Sequence, residues 1–287
     1  MSARITSYRH DGLVIDVRDE GPLDGVPVVL LHGFPERSTS WREVAPLLHA
    51  HGLRTLAPDQ RGYSPGARPR RRRDYRLDRL VADVVALVDE VGRPVHVVGH
   101  DWGAVVAWVL AATRPDLVRT LTAVSVPHPA AFVRAALPGR QGLRSWYTAF
   151  HQLPWVPELA ASLPGGPTDR ALRRAGMRPE DVARYRREVV DDGALPGALG
   201  WYRAMALGSS AGTGSRVQVP TTMVWSDGDT AVDVAGVRRC AQWVTGSYRL
   251  VVLPGVSHWI PTQAPERLAE AVLERVLPER DGEEVAP

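Results

Sequence analysis

Asp101 stands at the centre of a sequence pattern that can present a nucleophile. Residues 95–104 read VHVVGHDWGA, an apolar strand-like run followed by a turn and an apolar helix-like run. Gly99 and Gly103, two residues before and after Asp101, permit a strained turn that lifts the central side chain above a sheet. The same pattern with serine at its centre is the nucleophile elbow of esterases. The alternative is that Asp101 only caps the helix beginning at Trp102, a common role for aspartate.

A carboxylate nucleophile does different chemistry from a serine hydroxyl. It needs no base to activate it, and its attack on an sp3 carbon leaves an alkyl ester on the protein. Hydrolysis of that ester requires a histidine to deprotonate water, an acid to orient the histidine, and backbone N–H groups to hold the oxyanion.

The C-terminal part of the chain offers the acid and the base. His258 comes just after the last strand-like run, and Asp229 comes just after the strand-like run before it. Asp227 competes for the acid role, but we favour Asp229 because Gly228 lets the loop turn before it. For His258 the alternative is an ordinary surface-loop histidine. The order nucleophile, acid, base, each at the carboxyl end of a strand, is that of α/β-hydrolases.

The turn after the first buried run, HGFP at 32–35, is expected to complete the site. We predict that the backbone N–H groups of Phe34 and Trp102 hold the oxyanion; loss of one such donor typically slows a reaction about 10²- to 10³-fold. His32 lies beside a glycine turn directly after a strand, so we interpret it as structural.

These residues need a sheet to position them, and the sequence predicts one. Short apolar runs rich in valine, leucine and threonine are typical of fully buried parallel strands. Helical patterns alternate with them, which indicates a mostly parallel central sheet with flanking helices. At the N-terminus, Asp11-Gly12 is predicted to join Arg4–His10 and Leu13–Arg18 in an antiparallel hairpin. The predicted buried strands are Val28–His32, Arg54–Ala57, Val95–Gly99, Leu121–Val126, Thr222–Trp225 and Arg249–Leu253.

Three helices are predicted between these strands. Leu77–Val91 carries a helical stripe of apolar residues that ends at Gly92, and Ala104–Ala112 is almost wholly apolar, as expected of a helix packed under a sheet. Residues 40–43, SWRE, form a capping box that predicts a helix stopping before Gly52.

The alternation of strands and helices breaks between Pro127 and Arg216. That segment is rich in proline, glycine, tryptophan and arginine, indicates short helices, and lacks a strand-like run. We therefore predict a core of residues 1–127 and 216–287 with an inserted helical cap at 128–215. The cap is expected to cover the carboxyl ends of the strands, where open α/β sheets bind ligands.

The composition argues against several classes of protein. Basic and acidic residues number 35 and 32. The dense run Arg70–Arg73 is interpreted as a solvated loop, so we expect no nucleic-acid partner. No apolar run reaches the ~18 residues of a membrane span, and the first residues lack the apolar core of a signal peptide; we expect a cytoplasmic protein. The single cysteine, Cys240, is expected to be buried and inert.

HGFP at 32–35 and GHDWGA at 99–104 resemble the epoxide hydrolase branch of the α/β-hydrolases, close to the soluble epoxide hydrolases. The resemblance covers nearly the whole chain, and residues 219–229 and 257–259 are similar to the family's acid and base segments. It implies an α/β-hydrolase fold with a cap, an enzyme that converts an epoxide and water to a vicinal diol, and no cofactor or metal. It also implies a cis peptide bond before Pro35. A homodimer is left open.

The resemblance also places two tyrosines in the cap. Tyr147, in WYTAFHQLP, and Tyr202, in GWYRAM, are similar to the family's ring-opening tyrosines, although the residues around Tyr147 depart from the usual pattern. An opening epoxide releases an alkoxide about as basic as hydroxide, whose conjugate acid has a pKa of ~15.7, so a tyrosine of pKa about 10 can protonate it. The alternative for both residues is packing inside the cap beside the tryptophans.

The chain contains nine tryptophans and many apolar cap residues, which indicate a hydrophobic substrate, with an aromatic one as an option. A small hydrophobic epoxide and water are therefore the expected partners. The predicted substrate pocket contains Trp102, Trp146, Phe150, Trp201 and Trp259.

The main alternative is a haloalkane dehalogenase, which shares the aspartate nucleophile. Trp102 could then bind the halide together with Trp146 or Trp155. Against it, many dehalogenases carry asparagine where this chain has Phe34, and the two cap tyrosines would have no role. A fluoroacetate dehalogenase is disfavoured because that group carries arginine at the position of Trp102, and serine esterases are excluded by Asp101.

A different class of protein would keep the fold and bind a ligand without turnover. The complete set of nucleophile, acid and base argues against it, although the presence of residues does not prove their geometry. A pocket that bound its ligand without consuming it would favour this interpretation.

Overall fold

An eight-stranded sheet forms the centre of the computed structural model, which describes residues 3–136, 146–207 and 212–277. The strands in these residues are β1 (Ser7–His10), β2 (Leu13–Glu20), β3 (Val26–Leu31), β4 (Leu53–Pro58), β5 (Val95–His100), β6 (Val118–Val124), β7 (Thr221–Ser226) and β8 (Tyr248–Leu253). They lie in the order β1-β2-β4-β3-β5-β6-β7-β8. The pairs β1–β2 and β2–β4 are antiparallel, and the other neighbours are parallel. The predicted mostly parallel sheet is therefore confirmed.

Each of the six predicted buried runs overlaps a strand, with two differences in detail. β6 ends two residues earlier than predicted, because Ser125 has a φ of 66°, which extended backbone does not adopt. The prediction that Arg249–Leu253 is fully buried is wrong. This segment belongs to β8 at the edge of the sheet, where Leu250 and Val252 are 37% and 47% exposed.

The N-terminal hairpin is confirmed, although β1 begins at Ser7 rather than at Arg4. Its register pairs Ser7 with Asp16. Asp11 and Gly12 have φ of 52° and 75°, and two positive φ values in a two-residue turn match the twist of the strands that it joins.

Helices cover both faces of the sheet. In the described residues they are α1 (Ala45–His49), α2 (Leu77–Val91), α3 (Trp102–Thr113), α4 (Pro129–Ala136), α5 (Trp146–Phe150), α6 (Val156–Ser162), α7 (Pro167–Arg174), α8 (Pro179–Tyr185), α9 (Leu195–Ala204), α10 (Val234–Arg238), α11 (Ile260–Gln263) and α12 (Pro265–Val276). Successive residues of a strand point to opposite faces. In β3, Val28 and Leu30 accordingly pack with α1 and α12, whereas Val29 and Leu31 pack with α2 and α3.

Two of the three predicted helices are confirmed, and the start of the third is wrong. α2 has the predicted bounds and ends at Gly92, whose φ is 73°, and α3 contains Ala104–Ala112. The capping box at 40–43 does not open a helix, since Ser40 lies in a separate 3-10 turn and its buried hydroxyl has no partner in the described part of the chain. α1 begins after Val44 instead, with Pro46 in its first turn, where a missing N–H costs nothing.

Between β6 and β7 the described residues form helices, turns and loops, and they contain no strand. α9 packs directly on the loop that follows β4. A Cβ on Gly197 would lie 2.4 Å from the carbonyl oxygen of Gly62, and the Trp201 indole N–H donates to the carbonyl of Arg61 at 2.7 Å. The division into a core of 1–127 and 216–287 and a cap of 128–215 is consistent with this arrangement and stays a prediction.

The single cysteine and the run of arginines have the surroundings that the composition predicts. Cys240 is fully buried as predicted, and burial raises the pKa of its thiol to about 12. Arg70–Arg73 are exposed, as expected of a solvated loop. In the part of the chain that the structure describes, no helix combines the length and the apolar character that crossing a membrane requires.

We expect the substitution Gly103→Ala to destabilise the fold, because its Cβ would lie 2.1 Å from the carbonyl oxygen of Leu31. A forced shift of packed backbone costs about 1–3 kcal/mol. Urea unfolding followed by circular dichroism should show a loss of this size. Gly214→Ala is the control, since its Cβ would meet nothing within 4 Å and its effect should stay within about 0.5 kcal/mol. Equal stability of the two variants would contradict the role assigned to Gly103.

Candidate active site

Asp101 occupies the turn between β5 and α3 with φ of 52° and ψ of −119°. A positive φ is strained for any residue with a Cβ, and such strain persists only where neighbours enforce it. The neighbours here are glycines. A Cβ on Gly99 would lie 2.3 Å from the carbonyl oxygen of Gly103, and a Cβ on Gly33 would lie 2.4 Å from the Cβ of Asp101. The side chain of Asp101 makes no capping hydrogen bond to α3, so the capping alternative is wrong.

The Asp101 carboxylate lies beside the two backbone groups that were predicted for the oxyanion. The N–H of Phe34 donates to Oδ1 at 2.8 Å, and the N–H of Trp102 helps to lower the pKa of the carboxylate. Burial favours the neutral acid, but the hydrogen bond and charge of His258 and the N–H of Trp102 together hold the pKa of Asp101 below its usual value. The carboxylate is therefore ionised at neutral pH. The peptide bond between Phe34 and Pro35 is cis, as predicted.

His258 bridges Asp101 and Asp229. Its Nε2 lies 3.5 Å from Oδ2 of Asp101, and its Nδ1 lies 2.7 Å from Oδ2 of Asp229. The N–H groups of Ala231 and Val232 donate to the other oxygen of Asp229 at 2.7 and 2.9 Å, which fixes the orientation of this carboxylate. The competing acid is exposed and instead accepts the N–H of Gly255 at 2.7 Å. Of the two candidates, the structure brings only the one at position 229 to the histidine.

The two carboxylates determine the charge of His258. Burial of the ring favours the neutral form, but the charge of Asp229, the hydrogen bonds to both carboxylates and the charge of Asp101 raise the pKa of His258 to about 10. The histidine is therefore an imidazolium at neutral pH as long as the Asp101 carboxylate stays negative.

Tyr147 and Tyr202 lie above Asp101 with ring centroids 6.2 Å apart in an edge-to-face arrangement. The Trp102 ring packs edge-to-face against Tyr202, with ring centroids 5.2 Å apart. Burial first, and then the negative charge of Asp101, raise the pKa of both tyrosines, which keeps both hydroxyls protonated.

Two cavities meet at Asp101, Tyr147 and Tyr202. The first has a volume of about 610 Å³ and the second about 880 Å³. Of the predicted pocket residues, the first cavity is lined by Trp102 and Trp201 and the second by Phe150 and Trp259. The side chain of Trp146 lies outside the described part of the structure. Trp155 is 81% exposed and lines neither cavity, so its assignment as a second halide ligand is wrong.

Glu36 and His100 lie beneath the site and were not predicted there. Nε2 of His100 donates to the carbonyl of His258 at 2.9 Å. Its Nδ1, which has no hydrogen-bond partner among the described residues, faces Oε2 of Glu36 at 3.7 Å. Burial and then the charge of Asp181 raise the pKa of Glu36 to about 8, and burial lowers the pKa of His100 to about 4. The only signal for them in the sequence is position, directly after HGFP and directly before Asp101.

His32 has the structural role that was predicted. Its Nδ1 hydrogen-bonds to the carbonyl of Gly33 at 3.0 Å, and its Nε2 accepts the N–H of Gln60 at 3.1 Å. Burial lowers the pKa of His32 to about 4, so the ring is neutral. Both nitrogens thus hold the turn that carries the Phe34 N–H.

Comparison with known proteins identifies relatives over most of the chain. The family model for the alpha/beta hydrolase fold matches residues 26–265. The chain is 36% identical to the AB hydrolase superfamily protein YfhM of Bacillus subtilis, across 92% of this chain and 94% of that protein. It is 33% identical to epoxide hydrolase A of Mycobacterium tuberculosis, across 87% and 90%.

Solved structures give the same result. Epoxide hydrolase VrEH1 from Vigna radiata superposes with a TM-score of 0.76 at 29% identity, covering 94% of this chain and 96% of that one. Epoxide Hydrolase A from Mycobacterium thermoresistibile gives 0.77 at 27% identity, covering 94% and 97%. The likeness therefore includes nearly the whole of each protein.

We expect His258→Gln to remove a pH-dependent part of the stability. The folded pKa of about 10 lies above the usual 6.5, so the imidazolium stabilises the fold fully below pH 6.5 and loses this effect between pH 6.5 and 10. The difference in unfolding free energy between the native protein and the variant should therefore shrink as the pH rises from 6 to 10. Urea unfolding at several pH values measures it. A difference that is independent of pH would contradict the assignment of the charge.

Proposed function

The chain belongs to the epoxide hydrolases of the α/β-hydrolase fold family, and from this we propose that it opens an epoxide through an ester on Asp101 and releases a vicinal diol. The observation that supports this most directly is the surroundings of that carboxylate. It faces backbone N–H groups on one side and His258 on another, and it lines the same cavities as two tyrosine hydroxyls.

In the first step, Asp101 attacks one ring carbon, a C–O bond of the ring breaks, and the ring oxygen takes a proton. Oδ1 is held by the Phe34 N–H, so Oδ2, which faces Nε2 of His258 at 3.5 Å, is the oxygen that attacks. Tyr147 and Tyr202 donate to the ring oxygen, which becomes a strongly basic alkoxide as the ring opens. Their raised pKa values keep the donated protons on the hydroxyls until that basicity develops.

In the second step, His258 activates the water that cleaves the ester. Esterification removes the charge of Asp101, which is one of the two charges that raise the pKa of His258. The ring then releases its proton more readily, and this proton restores the tyrosine that protonated the ring oxygen. The neutral ring, still oriented by Asp229, can take a proton from water. The hydroxide attacks the ester carbon, and the N–H groups of Phe34 and Trp102 hold the oxyanion. The bond between the carboxyl carbon of Asp101 and Oδ2 breaks, and Oδ2 leaves with the proton taken from water as the second hydroxyl of the diol. The water oxygen stays in the carboxyl group, which returns its proton to His258 and is a carboxylate again.

The site gives less support to a dehalogenase. A departing halide needs N–H donors and no proton, whereas two tyrosine hydroxyls line the cavities beside Asp101. Of the two indoles that could be the second halide ligand, that of Trp155 is at the surface. The side chain of Trp146 lies outside the described part of the structure. A protein that binds without turnover is also disfavoured, because the base, His258, stands within contact distance of both the nucleophile and the acid.

We expect the variant His258→Gln to form the ester and to hydrolyse it about 10²- to 10⁴-fold more slowly, because only the second step uses the base. Mass spectrometry of the intact protein after incubation with an aryl epoxide should then show a gain of one substrate mass. Asp101→Ala is the control and should gain none.

Isotope labelling tests the same intermediate in the native enzyme. With enzyme in excess, in water enriched in heavy oxygen, the label should enter Asp101 in the first cycle and the diol only after a second. Direct labelling of the first diol would refute the ester.

We expect the double variant Tyr147→Phe, Tyr202→Phe to lose epoxide opening, and each single variant to lose about 10²- to 10⁴-fold in kcat/KM. Tyr185→Phe is the matched control, since Tyr185 is a buried cap tyrosine that lines neither cavity. The assay pairs an aryl epoxide with a primary alkyl bromide. Halide release that equals epoxide opening in the native enzyme and survives in the double variant would instead identify a dehalogenase.

A further inference from the structure

His151 is a polar side chain in the second cavity for which the proposed mechanism has no role. It follows α5 directly and lines the cavity together with Asp101 and His258. Most of the other residues that line this cavity are apolar, among them Phe34, Ala171 and Trp259. An imidazole in such a place requires an explanation.

The backbone around His151 holds the ring in a defined position. The N–H of His151 donates to the carbonyl of Tyr147 at 2.9 Å, and its carbonyl accepts the Arg203 guanidinium at 3.3 Å. The neighbouring Gln152 donates to the carbonyl of Tyr202 at 2.6 Å, which ties this segment to α9. The backbone that carries the ring is therefore fixed by these contacts.

The ring packs among aromatic side chains, with centroids 4.5 Å from Tyr202 and 5.0 Å from Phe34. Neither ring nitrogen has a hydrogen-bond partner among the residues that the structure describes, and Nδ1 is buried. Burial and then the charge of Arg203 lower the pKa of His151 to about 4, so the ring is neutral and carries one N–H.

The burial of one nitrogen determines which nitrogen carries the proton. A buried N–H without a partner is rarer in proteins than a buried acceptor without one. The proton is therefore best placed on Nε2, while the lone pair lies on the buried Nδ1. Because the ring lines the cavity and Nδ1 is covered, the N–H on Nε2 is the group that a ligand in the cavity can reach.

We propose that His151 is a specificity-determining residue, which donates a hydrogen bond to an acceptor oxygen in the substituent of the substrate. The preferred substrates are then epoxides with an ether or carbonyl oxygen close to the ring and an apolar remainder. The short distance follows from the contact between His151 and Tyr202, since the same tyrosine holds the epoxide oxygen. This inference rests on the proposed function.

The test compares two substrates that differ at one atom. Phenyl glycidyl ether carries its ether oxygen one methylene away from the epoxide ring. In 4-phenyl-1,2-epoxybutane a second methylene replaces this oxygen. One neutral hydrogen bond corresponds to a preference of roughly 3- to 10-fold in kcat/KM for the ether in the native enzyme. In His151→Phe, which keeps the aromatic packing, the two substrates should react equally well.

Two further variants test whether the preference depends on the hydrogen bond from His151. His151→Gln retains a donor and should keep part of the preference, and His151→Leu replaces the phenylalanine variant if that variant fails to fold. If His151→Phe lowers kcat/KM equally for both substrates, His151 acts through packing alone and the proposal is overturned. The proposal is also overturned if His151→Phe keeps the preference for the ether, or if the native enzyme has no preference for it. Failure of the native enzyme to hydrolyse either epoxide would overturn the proposed function as well.

Discussion

Two side chains, the partly buried Asp101 and the buried His258, depend on each other for the charge that they carry. The carboxylate stays ionised there because an imidazolium and backbone N–H groups face it. The imidazolium persists because this carboxylate and Asp229 face it. Esterification removes the negative charge of Asp101, and His258 then faces only one carboxylate. In the proposed mechanism the first half-reaction therefore produces the base for the second, and no additional group has to detect that the first step has occurred.

This pairing is possible only because the fold holds an unfavourable backbone conformation. The turn at Asp101 has a positive φ, and the glycines around it bring α3 and the end of β3 into backbone contact. The two strands that deliver the turn and the HGFP segment, β5 and β3, are neighbours in the sheet. The contact between His100 and the carbonyl of His258 connects the base to the same pair of strands from below.

The sequence predicted those parts of the fold and site that depend on local or strongly patterned signals. Buried parallel strands are apolar on both faces, and the elbow has glycines at fixed spacing, so both could be recognised. The capping box at Ser40 was a wrong prediction, because Ser40 lies in a 3-10 turn and α1 begins only after Val44, with Pro46 in its first turn. The exposure of β8 depends on its place at the sheet edge, and the surroundings of His151 depend on contacts between distant segments. No local pattern contains that information.

The backbone contact between Gly62 and Gly197 has a consequence for attempts to change selectivity. α9 meets the core with no side chain in between, so any larger residue at either position would push Tyr202 away from Asp101. Tyr147 instead belongs to the five-residue helix α5. Phe150 at the end of this helix and His151 directly after it line the second cavity. Libraries that aim at new substrates are therefore best confined to Phe150, His151 and the loop after them, with Tyr147 and the glycine pair left unchanged.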